Sequence, residues 1–400
     1  MHSPSSKFQG LFPASAFPGV GRVPDAMVAS VVARILAVPL PSFMHGFGYQ
    51  SVNMPFVEIY DSNGVVGTGF TYTLDIGATV VKTMVDDVIA PALIGRPLSD
   101  WEEGKRTIIA LTRRLGATAF TAALSAVDIA IWDLRAKLAG EPLYQLLGGV
   151  SRAVPLYGSG RSGQGFSTTE LIELSLGYVE DGFAGVKIAI GAHPIDVDVA
   201  RVTAVREALP EHIPVMVDGS ERYSYAQALE FACKASHLGL LWFEEPMLAE
   251  KVFEYRQLAQ TSPIPIATGE HFQGLAQLQR YLAETGIAFY QPDAALGGGI
   301  DVMLEMARAI GRQPEIAIGW HSLGDLHAHL ASAVPATTWL EDFPIFERVI
   351  ASPLRPIAGK VSPPERPGHG IIWDEDALAA YTLTSCPKSV GKLTTTRSRK

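Results

Sequence analysis

Cysteine is nearly missing from this sequence: 400 residues contain 2, Cys233 and Cys386. They lie far apart and in no metal-binding or redox spacing, so neither a disulfide framework nor thiol chemistry is expected. Long apolar runs are missing too. None reaches the roughly 18 residues that a membrane helix needs, and the first 26 residues are rich in Ser, Pro and Gly without a compact apolar stretch. A membrane span and a signal peptide are therefore not expected, and the cytoplasm is the expected location. Positive charge is short as well. A net charge of −9 and a pI near 5.6 leave no broad basic surface for nucleic acid. The basic end "KSVGKLTTTRSRK" reads as a solvated, disordered tail over residues 386–400.

What is present suits a large soluble core: 48% of residues are hydrophobic and 18% charged. Residues 1–26 read as a flexible extension. "ASVVARILAV", "MPFVEIYDS" and "VVGTGFTYT" read as three strands, the last two joined by a turn at Ser62, Asn63 and Gly64. From Asp75 to about Gly140 the pattern turns helical, ending with "FTAALSAVDIAIWDLRAKLAG" and a glycine suited to close a helix. Residues 27–150 thus form an expected α+β domain. Beyond it, "VPLYGS", "GVKIAI", "IPVMVD", "LLWFEE", "IPIATGE", "AFYQPD", "EIAIGWH" and "TTWLED" alternate with amphipathic helices. Eight such βα units over residues 151–344 predict a closed (β/α)₈ barrel of TIM type.

Five of the later strand runs end in polar residues: Asp218, Glu244 with Glu245, Glu270, Asp293 and His321. In such a barrel the C-terminal strand ends meet at one face, so these residues converge although far apart in sequence. Any one of the acids alone would pass for a salt-bridge or capping residue. Three carboxylates in register, Asp218, Glu244 and Glu270, repel one another unless a cation compensates them. An all-oxygen set suits Mg²⁺, or Mn²⁺, better than Zn²⁺. Asp293 and His321 then form a pair in which the carboxylate fixes the imidazole tautomer and raises basicity at its other nitrogen, as a general base requires. His327 and His329 fall on the following helix, where core or capping roles are expected. Lys187 interrupts an apolar strand and demands a partner. On its face of the strand the next residue, roughly 6.6 Å away, is Ala189.

The ordered set Lys187 in "VKIAIG", Asp218 in "MVDGS", Glu244 in "WFEEP", Glu270 in "ATGEH", Asp293 in "QPDAALGGG", His321 in "GWHS" and Glu341 in "WLED" resembles the enolase superfamily, specifically its mandelate racemase subgroup. The likeness spans about residues 28–375 and includes the strings "FTYT" and "AALSAVDIAIWDLRAKLAG". It implies an α+β capping domain, rejoined by a segment at about 345–385, closing over a modified barrel. It further implies Mg²⁺ on the three carboxylates and removal of the proton α to a substrate carboxylate, giving an enediolate. By the same resemblance Glu341 contacts the substrate carboxylate, Ser159 lies beside it, and Lys187 polarises it. A homo-oligomer acting on a small-molecule carboxylate is the implied assembly.

One position departs from the subgroup, whose members commonly carry Lys-x-Lys on the second barrel strand. The second lysine, a base on the face opposite the histidine, is here Ala189. A racemase needs two opposed bases, whereas His321 alone can remove an α-proton and return it to a departing 3-hydroxyl. The expected activity is therefore that of a carbon–oxygen lyase, dehydrating an acid sugar or related hydroxy acid to a 2-keto acid. The alternatives are a racemase, epimerase or cycloisomerase with a second base elsewhere, and an inactive metal-binding barrel. Specificity is expected from the loop at 41–51, with His45 and Tyr49, and from Tyr72, Arg161 and Ser220.

Overall fold

A computed structural model describes residues 25–384, apart from residues 43–44, 46–49, 75, 113–117, 161–162, 164, 312 and 314. The expected N-terminal extension up to residue 24, the tail at 386–400, Tyr49 and Arg161 therefore lie outside the described residues.

Strands β1 (Val28–Pro39), β2 (Ser51–Asp61) and β3 (Val66–Phe70) form an antiparallel sheet in that order. Asp61 builds the turn between the last two: its Oδ1 accepts from the amides of Asn63 at 2.9 Å and Val65 at 2.7 Å. The sheet packs on the helix Thr118–Ala139, which is apolar on most of its circumference and buried along most of its length. Gly69 permits that contact, since a Cβ there would stand 2.1 Å from the Ala126 carbonyl oxygen. The helical pattern before Leu93 breaks into Ala78–Met84, a π-turn Val85–Ile89 and Ala90–Leu93. Pro91 supplies no amide hydrogen, which disrupts the regular ladder there.

The barrel strands are β4 (Val154–Gly158), β5 (Gly185–Ala189), β6 (Val215–Asp218), β7 (Phe243–Glu244), β8 (Ile266–Thr268), β9 (Phe289–Tyr290), β10 (Ala317–Trp320) and β11 (Thr337–Asp342). They pair in parallel in sequence order and close through β11 onto β4. Every strand corresponds to one of the apolar runs read from the sequence. Ring closure sets β5 across from β9, and β6 across from β10. Val186, Ile188 and Ile190 belong to the main core outside the ring, while Tyr157, Met216, Trp242 and Ala267 form a separate small cluster within it. With the barrel filled by side chains, open space is left at its C-terminal mouth.

Past β11 the chain adds β12 (Lys360–Val361) antiparallel to β4 and then returns to the first domain. Trp373 meets Phe56 and Phe70 edge-on, the His369 amide donates to Asp133 at 2.9 Å, and Thr382 bridges Leu36. Among the described residues no helix is long and apolar enough to cross a membrane.

Candidate active site

A cavity of about 480 Å³ opens at the barrel mouth beneath the capping domain. Barrel residues Ser159, Lys187, Ala189, Asp218, Ser220, Glu270, His321 and Glu341 line it, as do Leu40, Val52, Tyr72 and Thr73 from the cap. Its size is that of a small-molecule pocket.

Lys187 is 3% exposed and answers its burial with carboxylates. Its ammonium bonds Glu244, stands 2.8 Å from Oε1 of Glu341 and 3.8 Å from Oδ2 of Asp218, and lies over the Tyr157 ring. Burial alone would favour the neutral amine, but Glu244 and Glu341 outweigh it and hold the group charged. In return, Lys187 and then His321 hold the buried Glu341 carboxyl down near 2. Glu341 also accepts the Ser322 amide at 2.9 Å.

The other acids crowd one another. Burial raises Asp218, against the pull of Lys187, and Glu270 pushes it further; Glu244 is raised to about 8, by burial first and then by Asp218, Glu341 and Glu270. Asp218 and Glu270 line the cavity, whereas Glu244 is fully buried below it. There Glu244 Oε2 accepts from Trp242 Nε1 at 3.0 Å and from Gln291 Nε2, while Oε1 faces Lys187. Of the three carboxylates expected to share a cation, Asp218 and Glu270 line one cavity, while protein donors turn Glu244 inward. Mutually repelling oxygen donors of this kind suit a hard divalent cation, so the donor chemistry fits Mg²⁺.

His321 lies 8% exposed at the end of β10. Its Nδ1 is 2.9 Å from Oδ2 of Asp293, and its Nε2 is 3.3 Å from Oε2 of Glu270. Burial opposes the imidazolium, yet Glu270, Glu341 and Asp293 together lift the ring to about 10. Ala189 presents a methyl to the cavity on β5, the strand across the ring from the one leading to Asp293. Non-glycine residues with positive φ follow these strand ends: Ser220, Glu221, Glu245, Ser322 and Leu323. Such sparsely populated backbone persists where its surroundings fix it, and it gathers at sites.

Tyr72 lines the cavity with its hydroxyl already donated to Asp293 at 2.9 Å. Ser159 bonds Glu341. His45 departs from its expected place: its exposed ring stands 3.2 Å from the Leu40 carbonyl oxygen and is not among the cavity-lining residues. That local bond holds the ring on its own turn. Glu245 is buried beside the cavity with His271 Nδ1 at 2.6 Å; burial and then Glu270 raise its carboxyl to about 7 against the pull of His271, while Glu245 and then Glu270 raise His271 to about 11 against burial.

Strand-end reasoning missed the floor beneath these groups. Tyr157, Trp242 and Gln291 each lie two residues before Ser159, Glu244 and Asp293, so period-2 alternation was the available signal. His327 ties together the loops holding the candidate base pair. Its Nε2 accepts the Ala294 amide at 3.1 Å, which leaves Nδ1 to donate to the Ser322 carbonyl at 2.9 Å. Glu270 breaks the alternation, since Ala267 belongs to the barrel interior and a residue three positions on should face outward. Gly269, at φ 143° and where a Cβ would stand 2.8 Å from the Gln291 amide nitrogen, redirects it.

Residues 26–148 match the family model for the N-terminal domain of mandelate racemase and muconate lactonizing enzyme, and residues 170–377 match the enolase C-terminal domain-like model. The chain is 30% identical to a 3,6-anhydro-alpha-L-galactonate cycloisomerase of Streptomyces coelicolor, covering 89% of this chain and 100% of the relative. It is 32% identical to an L-talarate/galactarate dehydratase of Salmonella typhimurium, covering 82% of each. Among solved structures, a racemase from Streptomyces coelicolor with bound magnesium superposes with a TM-score of 0.85 at 28% identity, over 89% of this chain and 100% of that one. An L-talarate dehydratase from Polaromonas sp. JS666, complexed with Mg and L-glucarate, gives 0.82 at 28% identity, over 90% and 98%.

Proposed function

The chain belongs to the mandelate racemase/muconate lactonizing enzyme family of the enolase superfamily, and on that premise we propose that it is an Mg²⁺-dependent dehydratase of acid sugars. The observation that carries the reading is the bonded Asp293–His321 pair in a cavity where β5 offers Ala189 in place of a second base.

With a cation offsetting Glu270, the largest charge that raises His321, the ring would be neutral, and its Nε2 then removes the proton at C2 of the substrate, the C–H electron pair passing into the carboxylate to give an enediolate. Asp293 keeps the imidazole oriented and balances its new charge. Lys187 faces the enediolate oxygens with a charge it retains at any working pH, an electrostatic role strengthened by the dry surroundings. The imidazolium then returns its proton to the 3-hydroxyl on the same face. The C3–O bond breaks, water leaves, and the enol becomes a 2-keto acid. Asp218 and Glu270, joined by Glu244 if it exchanges Lys187 for the ion, would hold Mg²⁺, which when bound stabilises the negative charge developing on the substrate carboxylate. Ser159 completes the carboxylate pocket beside Lys187 while Glu341, ionised, holds that ammonium in place, with Ser220 and Tyr72 near the substrate's remaining atoms. The proposal includes a cytoplasmic homo-oligomer, with a small-molecule carboxylate as partner and neither nucleic acid nor membrane.

A second reading is supported by the likeness to a cycloisomerase: the same base generates the same enediolate, but an internal C–O bond breaks and no water leaves. The deciding experiment incubates an acid-sugar panel with the protein and Mg²⁺ and follows product by mass spectrometry. Loss of water with formation of a 2-keto acid supports the dehydratase. Products of unchanged mass support the cycloisomerase or an epimerase, which the product's NMR spectrum tells apart. Absence of both turnover and α-proton exchange across the panel would leave a binding barrel without catalysis.

A further inference from the structure

The capping domain does more than cover the cavity, because it grips the segment that carries Asp293. Oδ2 of Asp293 lies 2.9 Å from the Tyr72 hydroxyl and 2.9 Å from His321 Nδ1, so cap and base share one oxygen. The other oxygen, Oδ1, accepts the Ala295 amide at 2.7 Å. Beside this contact the Thr71 hydroxyl donates to the Ala295 carbonyl at 2.6 Å. Further along, the Gly298 amide donates to Ser125 at 2.9 Å and the Asp301 amide to Asp128 at 3.1 Å, both acceptors lying on the cap helix. The Tyr72 ring is itself held edge-on against Phe346 at 5.8 Å. Burial, with Asp293, Glu270 and Glu341, raises its hydroxyl well above the usual tyrosine range, so it stays a donor.

A carboxylate that orients a base works through the direction of one hydrogen bond, and that direction depends on what fixes the carboxylate. Here the fixing groups come from two domains.

We propose that Tyr72 is a positioning residue for the general base: its hydroxyl anchors Asp293, so that the pair abstracting the proton is completed across the domain boundary. This rests on the reading of His321 as the base. It differs from a substrate-binding role for Tyr72, since the hydroxyl proton is already committed.

The test compares wild type with Tyr72→Phe, which keeps the ring packing against Phe346, on an acid sugar whose α-proton the wild type removes. The expected result is a loss in kcat of about 10- to 100-fold, the usual cost of losing such an outer partner, with KM changed less than about twofold. In an Asp293→Asn background, Tyr72→Phe should add no further loss, because both act through one carboxylate. A third readout needs no turnover: the downfield proton resonance of His321 Nδ1 should shift in Tyr72→Phe, since a competing donor to the same oxygen has gone. An unchanged kcat, a rise in KM alone, an additive loss in the Asn background, or an unmoved resonance would each overturn the proposal. If wild type exchanges no α-proton, the functional reading falls, and the resonance still decides whether Tyr72 governs the Asp293–His321 bond.

Discussion

Oε2 of Glu270 stands 3.3 Å from Nε2 of His321, so a carboxylate suited to a cation also touches the ring suited to act as base. Occupation of the acidic group and readiness of the base are thereby physically joined.

The first prediction concerns that cation. Mg²⁺ should raise the unfolding temperature, because an ion that binds the folded chain alone stabilises it by about 2.7 kcal/mol at a hundredfold excess over Kd. Asp218→Asn and Glu270→Gln should each remove most of the Mg²⁺-dependent shift in a thermal melt. An undiminished shift in both variants would move the ion to other ligands.

His321→Asn should lower α-proton exchange by at least about 100-fold while Mg²⁺ binding survives, in line with the range for a lost general base. Exchange into deuterated water, read by NMR, measures it. Retained exchange would assign the base elsewhere.

Ala189 supplies the stereochemical prediction. Wild type should exchange the α-proton of one epimer and bind the other without exchange. Ala189→Lys, placed on the Lys187 face of β5, should introduce weak exchange of the opposite epimer, its amine shifted toward neutrality by desolvation and by the Lys187 charge. Comparable exchange of both epimers by wild type would sink the one-base mechanism.

Removing the charge of Lys187 should cost stability as well as activity. Lys187→Met leaves Glu244 and Glu341 buried without their shared cation, a loss on the order of 3–5 kcal/mol for a broken buried pair. Urea unfolding with a midpoint equal to that of wild type would contradict this.

His329 gives a pH signature of folding. Its Nδ1 accepts the Tyr144 amide at 3.1 Å, its Nε2 donates to the His369 carbonyl at 2.9 Å, and burial lowers it to about 3. The unfolded ring titrates near 6.5. Above that value both states are neutral and this contribution is complete. As pH falls from about 6.5 towards 3 the unfolded chain binds the proton first, so stability declines, levelling off below. The urea midpoint should therefore drop less between pH 7.5 and 4.5 in His329→Gln than in wild type; equal drops would remove His329 from the acid transition.

The strand ends, and with them most of the candidate site, are legible in the order of residues alone. Short apolar runs closed by Asp218, Glu244, Glu270, Asp293 and His321 can converge only if parallel strands share one face, and alternation alone placed Lys187 beside Ala189. Helix and strand periodicities are local properties, so they survive being read in one dimension. Tertiary structure decided how those side chains turn. Glu244 reaches down to Lys187 on β5, Trp242 on its own strand run and Gln291 just past β9, because their donors converge there once the ring has closed. Glu270 faces the cavity because Gly269 adopts a backbone angle that breaks the alternation. Tyr72 reaches Asp293 across 221 residues of chain, a contact that exists only once the cap has docked. Such bonds depend on where separately formed elements come to rest, and no local periodicity records that.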